Sequence, residues 1–259
     1  MDVESQPERK LHPTLSSTND EVNLLHIFPQ QGQIYHMSGP GRAGSKMRPI
    51  AEYWVAVLLA QGETVHWVDG ACRIDPSRLL PVLRSLGADT ESCLSRLYLS
   101  RGFTLHQLDG QISRLRHEVA ITHSPFVILD GILAMHEDDA IRQHESRALL
   151  RRHLNVLKHL AEHLQVAIVL ITESHSRNLQ QQQRIECIQR HSQHHLSGFW
   201  HGQRRKKMLH LHHHESGVQG QWHMLPDAHQ LHFVVSKKER ERHPISASLG
   251  VFALFDERK

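Results

Sequence analysis

The sequence predicts an α/β fold, with a mostly parallel central sheet, helices on both faces and antiparallel strands added toward the C-terminus. Three observations predict it. Two apolar runs, Thr64–Asp69 and Phe126–Leu129, each lead into an aspartate followed by glycine (Asp69-Gly70 and Asp130-Gly131). Buried parallel strands read this way when they deliver a carboxylate to their C-terminal tips. A third run, Gln33–Ser38, enters the glycine-rich turn GPGRAGSKM at Gly39–Met47 and then a helical stretch. Strand, glycine turn, helix and acid-tipped strands form the layout of a nucleotide-binding domain, whose ligands sit outside the carboxyl ends of the strands.

The elements follow in order. Residues 1–22 are rich in Ser, Asn, Glu and Pro and read as a disordered tail, with the core spanning 23–259. Arg48–Gln61 places Ile50, Trp54, Val55, Leu58 and Leu59 at helical spacing, with Pro49 in the first turn and Gly62 as the stop. Asp75 precedes Pro76 as a helix N-cap, and the helix it opens runs to Gly87. Leu97–Ser100 reads as a strand, Thr104–Val119 as a helix, Asp138–Leu164 as a long amphipathic helix and Val166–Thr172 as the fifth strand. Beyond Glu173, residues 175–207 read as a polar, basic, mobile segment in which Asn178–Arg190 has helical character. Met208–His214, Gln221–Leu225 and Leu231–Ser236 read as antiparallel strands extending the sheet.

The 259-residue chain has a net charge of only +3, so local basic clusters matter more than the total. Its 3 cysteines, Cys72, Cys93 and Cys187, are far apart and odd in number, which fits a reducing compartment rather than a disulfide framework. No apolar run approaches the roughly 20 residues that span a bilayer, and the N-terminus lacks a secretory pattern. The expected location is the cytoplasm, nucleoid-associated if the source is bacterial. The 25 histidines are spread along the whole chain, and the clusters His191–His195 and His210–His214 lack cysteine ligands and zinc-type spacing. They read as a compositional bias rather than a metal site.

A phosphate-binding loop needs glycines, a lysine for the β- and γ-phosphates and a hydroxyl for Mg²⁺, spaced G-x-x-x-x-G-K-[ST]. Gly39 and Gly44 keep the glycine spacing, but Ser45 takes the lysine place and Lys46 the hydroxyl place. Taking Lys46 as the key lysine instead puts Pro40 and Ser45 at the glycine places and Met47 at the hydroxyl. Gly39, Gly41, Gly44 and the helix N-terminus still offer an anion cradle. Asp130, ending a central strand opposite this loop, is the candidate acid that orients Mg²⁺ through water. Asp69 is either a functional acid or a turn former. Glu173 either positions a phosphate or water, or solvates a strand end.

The segments IYHMSGPGRAGSK, VHWVDGACRIDPSRLLPVLRSLG, RLYLSRGFTLHQL, FVILDGILAM and VAIVLITES stand in the order and near the spacing of the RecA/RadA-type recombinase ATPase core. The chain resembles that P-loop NTPase family, most of all its short bacterial paralogs, closely over Gln33–Ser174 and loosely over Leu209–Pro244. The resemblance implies ATP- and Mg²⁺-linked handling of single-stranded DNA in recombination and repair. It implies a nucleotide site of Gly39, Gly41, Gly44, Ser45, Lys46, Met47, Asp130 and Glu173. Glu173 stands where the family usually has a phosphate-sensing amide. The family's water-activating glutamate follows the second strand, where this chain has Gly70-Ala71-Cys72. Glycine and alanine cannot act as a general base and cysteine is a poor one, so the expected ATP hydrolysis is weak or absent.

Arg190, Arg204, Arg205, Lys206 and Lys207, with Phe199 and Trp200 among them, combine phosphate-neutralising charge with stacking surfaces for unpaired bases. Arg184 belongs to the same stretch, and Lys237, Lys238, Arg240 and Arg242 form a second basic run. In the family a mobile DNA-binding loop follows the fifth strand. Two functions are carried forward: a RecA-like protein that binds DNA and ATP with weak or no hydrolysis, and a non-enzymatic pseudo-ATPase that serves as a scaffold for a recombinase. The expected partners are single-stranded DNA and either further copies of the chain or another recombinase subunit.

Overall fold

Among the described residues of the computed structural model of the protein, nine strands form one sheet in the order β3-β2-β4-β5-β1-β6-β7-β8-β9. The structure describes residues 28–138, 140–201, 208–223 and 231–233. The tail 1–22, Arg204–Lys207 and Lys237–Arg242 lie outside the described residues. The strands are β1 (Ile34–Gly39), β2 (Val65–Asp69), β3 (Leu97–Arg101), β4 (Phe126–Asp130), β5 (Ala167–Glu173), β6 (His194–His201), β7 (Met208–His213), β8 (Gln219–His223) and β9 (Leu231–Phe233). From β3 across to β6 every pairing is parallel; from β6 to β9 every pairing is antiparallel.

The near-continuous apolar character of β2, β4 and β5 follows from burial on both faces. On one face α1 (Arg48–Ala60), α2 (Leu80–Ser85) and α3 (Thr90–Leu94) pack Ile50, Trp54, Leu58 and Leu83 against Tyr35, Met37, Trp67, Ile128 and Val169. On the other, α4 (Leu105–Thr122), α5 (Gln143–Leu164) and α6 (Leu179–His191) pack Ile112, Leu115, Leu154, Leu157 and Ile188 against Ile34, Val68, Leu129, Ile168 and Leu170. Alternate residues of each strand therefore feed two separate cores.

Several boundaries differ from the sequence expectation for local reasons. The helix expected from Pro76 to Gly87 is a 3-10 turn, Pro76–Leu79, followed by α2. Pro81, in the first turn of α2, has no N–H to continue an α-ladder from the preceding turn. Asp75 is the N-cap, accepting from Ser77 N at 3.0 Å and Ser77 Oγ at 2.7 Å. The long helix starts at Gln143 rather than Asp138, because a 3-10 turn at Ala134–Glu137 ends in extended backbone at Asp138.

The segment 175–207 contains two described elements. Its described part is regular: α6, capped by Asn178 through Gln181 N at 2.8 Å, then β6 beside β1. The histidines, serine and glycine of β6 mask a period-two pattern. Leu196 and Gly198 are buried, while Ser197 is half-buried and Phe199 exposed.

Candidate functional site

The parallel strands bring their C-terminal tips to one edge. Gly39 is in register with Glu173, and Asp130 lies between Asp69 on β2 and Ile171 on β5. The glycine turn and Asp130 thus face a common crevice, as the strand order at a switch point requires.

The turn itself is folded inward. Gly44 N donates to Gly41 O at 3.0 Å, Ser45 N to Arg42 O at 3.2 Å, Lys46 N to Pro40 O at 3.1 Å and Met47 N to Gly44 O at 2.8 Å. A phosphate cradle requires those successive N–H groups to converge on the anion; here they close a short 3-10 turn at Arg42–Gly44. Met47 is fully buried, and its side chain fills a slot between Gly39 of β1 and Gly198 of β6, where a Cβ at either glycine would collide with it. That contact explains a glycine within β6. Lys46 is half-buried.

Arg48, the first residue of α1, is buried against Asp130. Its guanidinium grips Asp130 with two bonds, Nε to Oδ2 and Nη2 to Oδ1 at 3.0 Å. Arg48 is 4% exposed and Asp130 0%. An arginine remains charged throughout the accessible pH range, and its planar fork matches a carboxylate edge. The position where an acid would hold the hydration shell of Mg²⁺ is thereby neutralised from within the chain. One turn along α1, Glu52 is buried 3.2 Å from Arg78, and burial pushes its carboxyl up to about 7 against the pull of Arg78 and Arg48.

The other acids serve the backbone. Asp69 accepts from Ala71 N, Arg73 N and Ile74 N at 3.2, 2.7 and 2.8 Å, and from Arg101 Nε at 3.1 Å, so of its two readings the structure supports the turn former. Cys72, in the stretch that replaces the family's glutamate, holds a φ of 55° and donates its thiol to Gly102 O at 3.2 Å. Glu173 is tied to Arg177 at 3.2 Å and to Gln181 Nε2. The cavity between the glycine turn and Glu173 is about 10 Å³, room for about one water molecule. ATP and Mg²⁺ do not fit the residues present.

These acids stand on the strands that carry the resemblance, and the sequence matches the Rad51 family over residues 57–189, just over half of the chain. The chain belongs to the Rad51 family. No curated protein matches it. The Rad51 match runs from within α1 through β2, β3, β4 and β5 into α6, and starts after the glycine turn. The family has a RecA-like core, serves recombination and repair, and its members bind single-stranded DNA and oligomerise. Among the described residues of this Rad51-family chain, no helix is long and apolar enough to cross a membrane.

The basic and aromatic residues expected at DNA separate in space. Phe199 is exposed and stacks on His210 with ring centroids 5.5 Å apart, whereas Trp200, the next residue of the same strand, points to the opposite face and packs on the core beneath α1. Strand alternation splits the pair. Arg184 turns inward and is buried, while Arg190 is exposed on the last turn of α6. Arg190 borders an open groove of about 500 Å³ floored by Ser38, His36, His195 and His214. The three histidines form a row across β1, β6 and the first residue after β7. Burial pushes His36 down to about 3, and its Nε2 shares a hydrogen bond with Thr172 Oγ1 at 2.7 Å.

Arg48 is the functional residue that sequence reasoning missed. Its signal was a basic residue in the first helical turn, two places after Lys46 and on the element that faces Asp130.

Proposed function

We propose that the protein is a nucleotide-independent accessory subunit of recombination and repair, a RecA-like core retained as a scaffold. One observation carries this reading: Arg48 occupies the acid that would otherwise face a nucleotide-bound cation. The inward hydrogen bonding of the Gly39–Met47 turn and the Gly70-Ala71-Cys72 stretch support it, since neither a phosphate cradle nor a general base is offered.

The scaffold has a free edge for a partner. Among the described residues β3 pairs only with β2, and Tyr98, Leu99 and Phe103 near it are 44%, 43% and 67% exposed. An unpaired edge with apolar side chains suits addition of a strand from a recombinase subunit or a second copy.

A second reading concerns DNA and is favoured by the groove beside α6. Arg190 supplies a phosphate contact and Phe199 an exposed ring on the same face of the sheet, an arrangement suited to single-stranded DNA.

The deciding experiment for the first reading is titration with ATP and a non-hydrolysable analogue, with and without Mg²⁺. No saturable binding up to millimolar nucleotide is expected. Micromolar, Mg²⁺-dependent binding that Asp130→Asn abolishes would overturn the proposal.

A further inference from the structure

The antiparallel extension of the sheet brings together side chains that are far apart in the pattern of the sequence. On the face beneath α1, Tyr35, His194 and His213 form a stacked row across β1, β6 and β7, with centroid distances of 4.3 Å and 5.2 Å. The hairpin that follows β7 turns back through His214–Gly217, with His213 N donating to Val218 O at 2.9 Å and Gly217 at a φ of 71°. That turn swings Glu215 against the row. One ligand atom from each of His194, His213 and Glu215 lies within 4.8 Å of the others.

We propose that His194, His213 and Glu215 form a binding site for a transition-metal dication of the zinc class, which ties β6 to the β7–β8 hairpin. The donor set is two imidazoles and a carboxylate, the combination such ions take when one position stays open to water.

One of the three ligand separations matches that of an ion site, and the three ligand atoms as a set lie within 4.8 Å of one another. His213 Nε2 and Glu215 Oε2 are 3.5 Å apart, long for an N–H···O bond. A tetrahedral ion with bonds of about 2.1 Å sets its ligand atoms about 3.4 Å apart. Both groups are also held in place from behind. His213 is 1% exposed, and its Nδ1 meets Ser216 Oγ at 2.6 Å, which leaves Nε2 facing Glu215. Nδ1 also accepts from Ser216 N at 3.3 Å, so a metal on Nε2 calls for the tautomer in which Nδ1 carries the proton and donates it to Ser216 Oγ. Glu215 Oε2 accepts from His195 N at 2.7 Å, and its other oxygen meets the His195 ring, so the carboxylate is anchored at the start of β6.

A histidine-rich chain binds metals weakly in many places, so the test must separate this site from the rest. The sharpest competitor among the described residues is His159 and His163, exposed on consecutive turns of α5 with ring centroids 4.1 Å apart. The full chain, stripped by chelator, is titrated with Co²⁺ as a spectroscopic probe and then with Zn²⁺ in competition. One equivalent is expected to bind first, to give the visible absorption of a low-coordinate site, to be displaced by Zn²⁺ and to raise the melting temperature. Glu215→Gln, which keeps the turn and side-chain volume, and His194→Ala each weaken that first equivalent at least tenfold, whereas the double variant His159→Ala/His163→Ala leaves it unchanged. The proposal fails if the first equivalent survives both Glu215→Gln and His194→Ala. It fails equally if the helical double variant alone removes it, or if no first equivalent saturates.

Discussion

The pair Arg48–Asp130 makes a quantitative prediction about folding that a nucleotide-binding acid would not make. Both side chains are almost wholly buried and joined by two hydrogen bonds. Removing one partner leaves an uncompensated charge in the interior, a loss of about 3–5 kcal/mol, far above the 1 kcal/mol or less of an exposed pair. Arg48→Met leaves the Asp130 carboxyl beside Asp69 across the β2–β4 pairing, and Asp130→Leu leaves the guanidinium with Glu52 and Asp69 nearby but no hydrogen-bonded carboxylate. Each single variant should lower the melting temperature by about 10 °C, at roughly 2–4 °C per kcal/mol for a chain of this size. The double variant Arg48→Met/Asp130→Leu removes both charges and should recover to within about 1–2 kcal/mol of the parent. Urea denaturation of all four proteins, with slopes compared to confirm two-state behaviour, gives the coupling energy directly. Single losses below about 1 kcal/mol that simply add would refute the reasoning, since they are what solvent-facing, independent side chains produce.

Two further outcomes follow. The Glu52 carboxyl, raised from 4.5 to about 7 by burial, favours the folded state while protonated; its contribution is complete below about pH 4.5 and is lost as pH rises through 7. That loss is on the order of 3 kcal/mol, so Glu52→Gln should be more stable than the parent at pH 8 and converge with it near pH 4; parallel denaturation curves at both pH values would contradict this. On the DNA reading, Arg190→Ala should reduce the salt slope of single-strand binding by about 0.7. Phe199→Ala should weaken binding by about 1–3 kcal/mol at every salt concentration, while Trp200, on the opposite face, gives no salt-dependent DNA effect; unchanged binding in both Arg190→Ala and Phe199→Ala would remove the groove from the reading.

Strands β1 to β5 were legible because each is short, largely apolar and closed by a turn residue. Phe126–Leu129 and Val166–Thr172 were bounded to within a residue or two by that signal alone. β6 was not legible, because histidine, serine and glycine dilute its alternation and the nearby basic run invites a loop. The convergence of Gly39 and Asp130 followed from strand order, which sequence patterning carries. The occupant of the space between them did not, because the reach of Arg48 across 82 positions depends on the helix axis and on Met47 sinking into its slot. The same limit hid His194, His213 and Glu215: composition showed abundant histidine, whereas the hairpin turn decides which of them meet a carboxylate.

A counter-ion that is covalently part of the polypeptide cannot be chelated, diluted or exchanged. On the scaffold reading proposed above, a cleft that already carries Arg48 answers to the partner the protein meets and not to a bound cation.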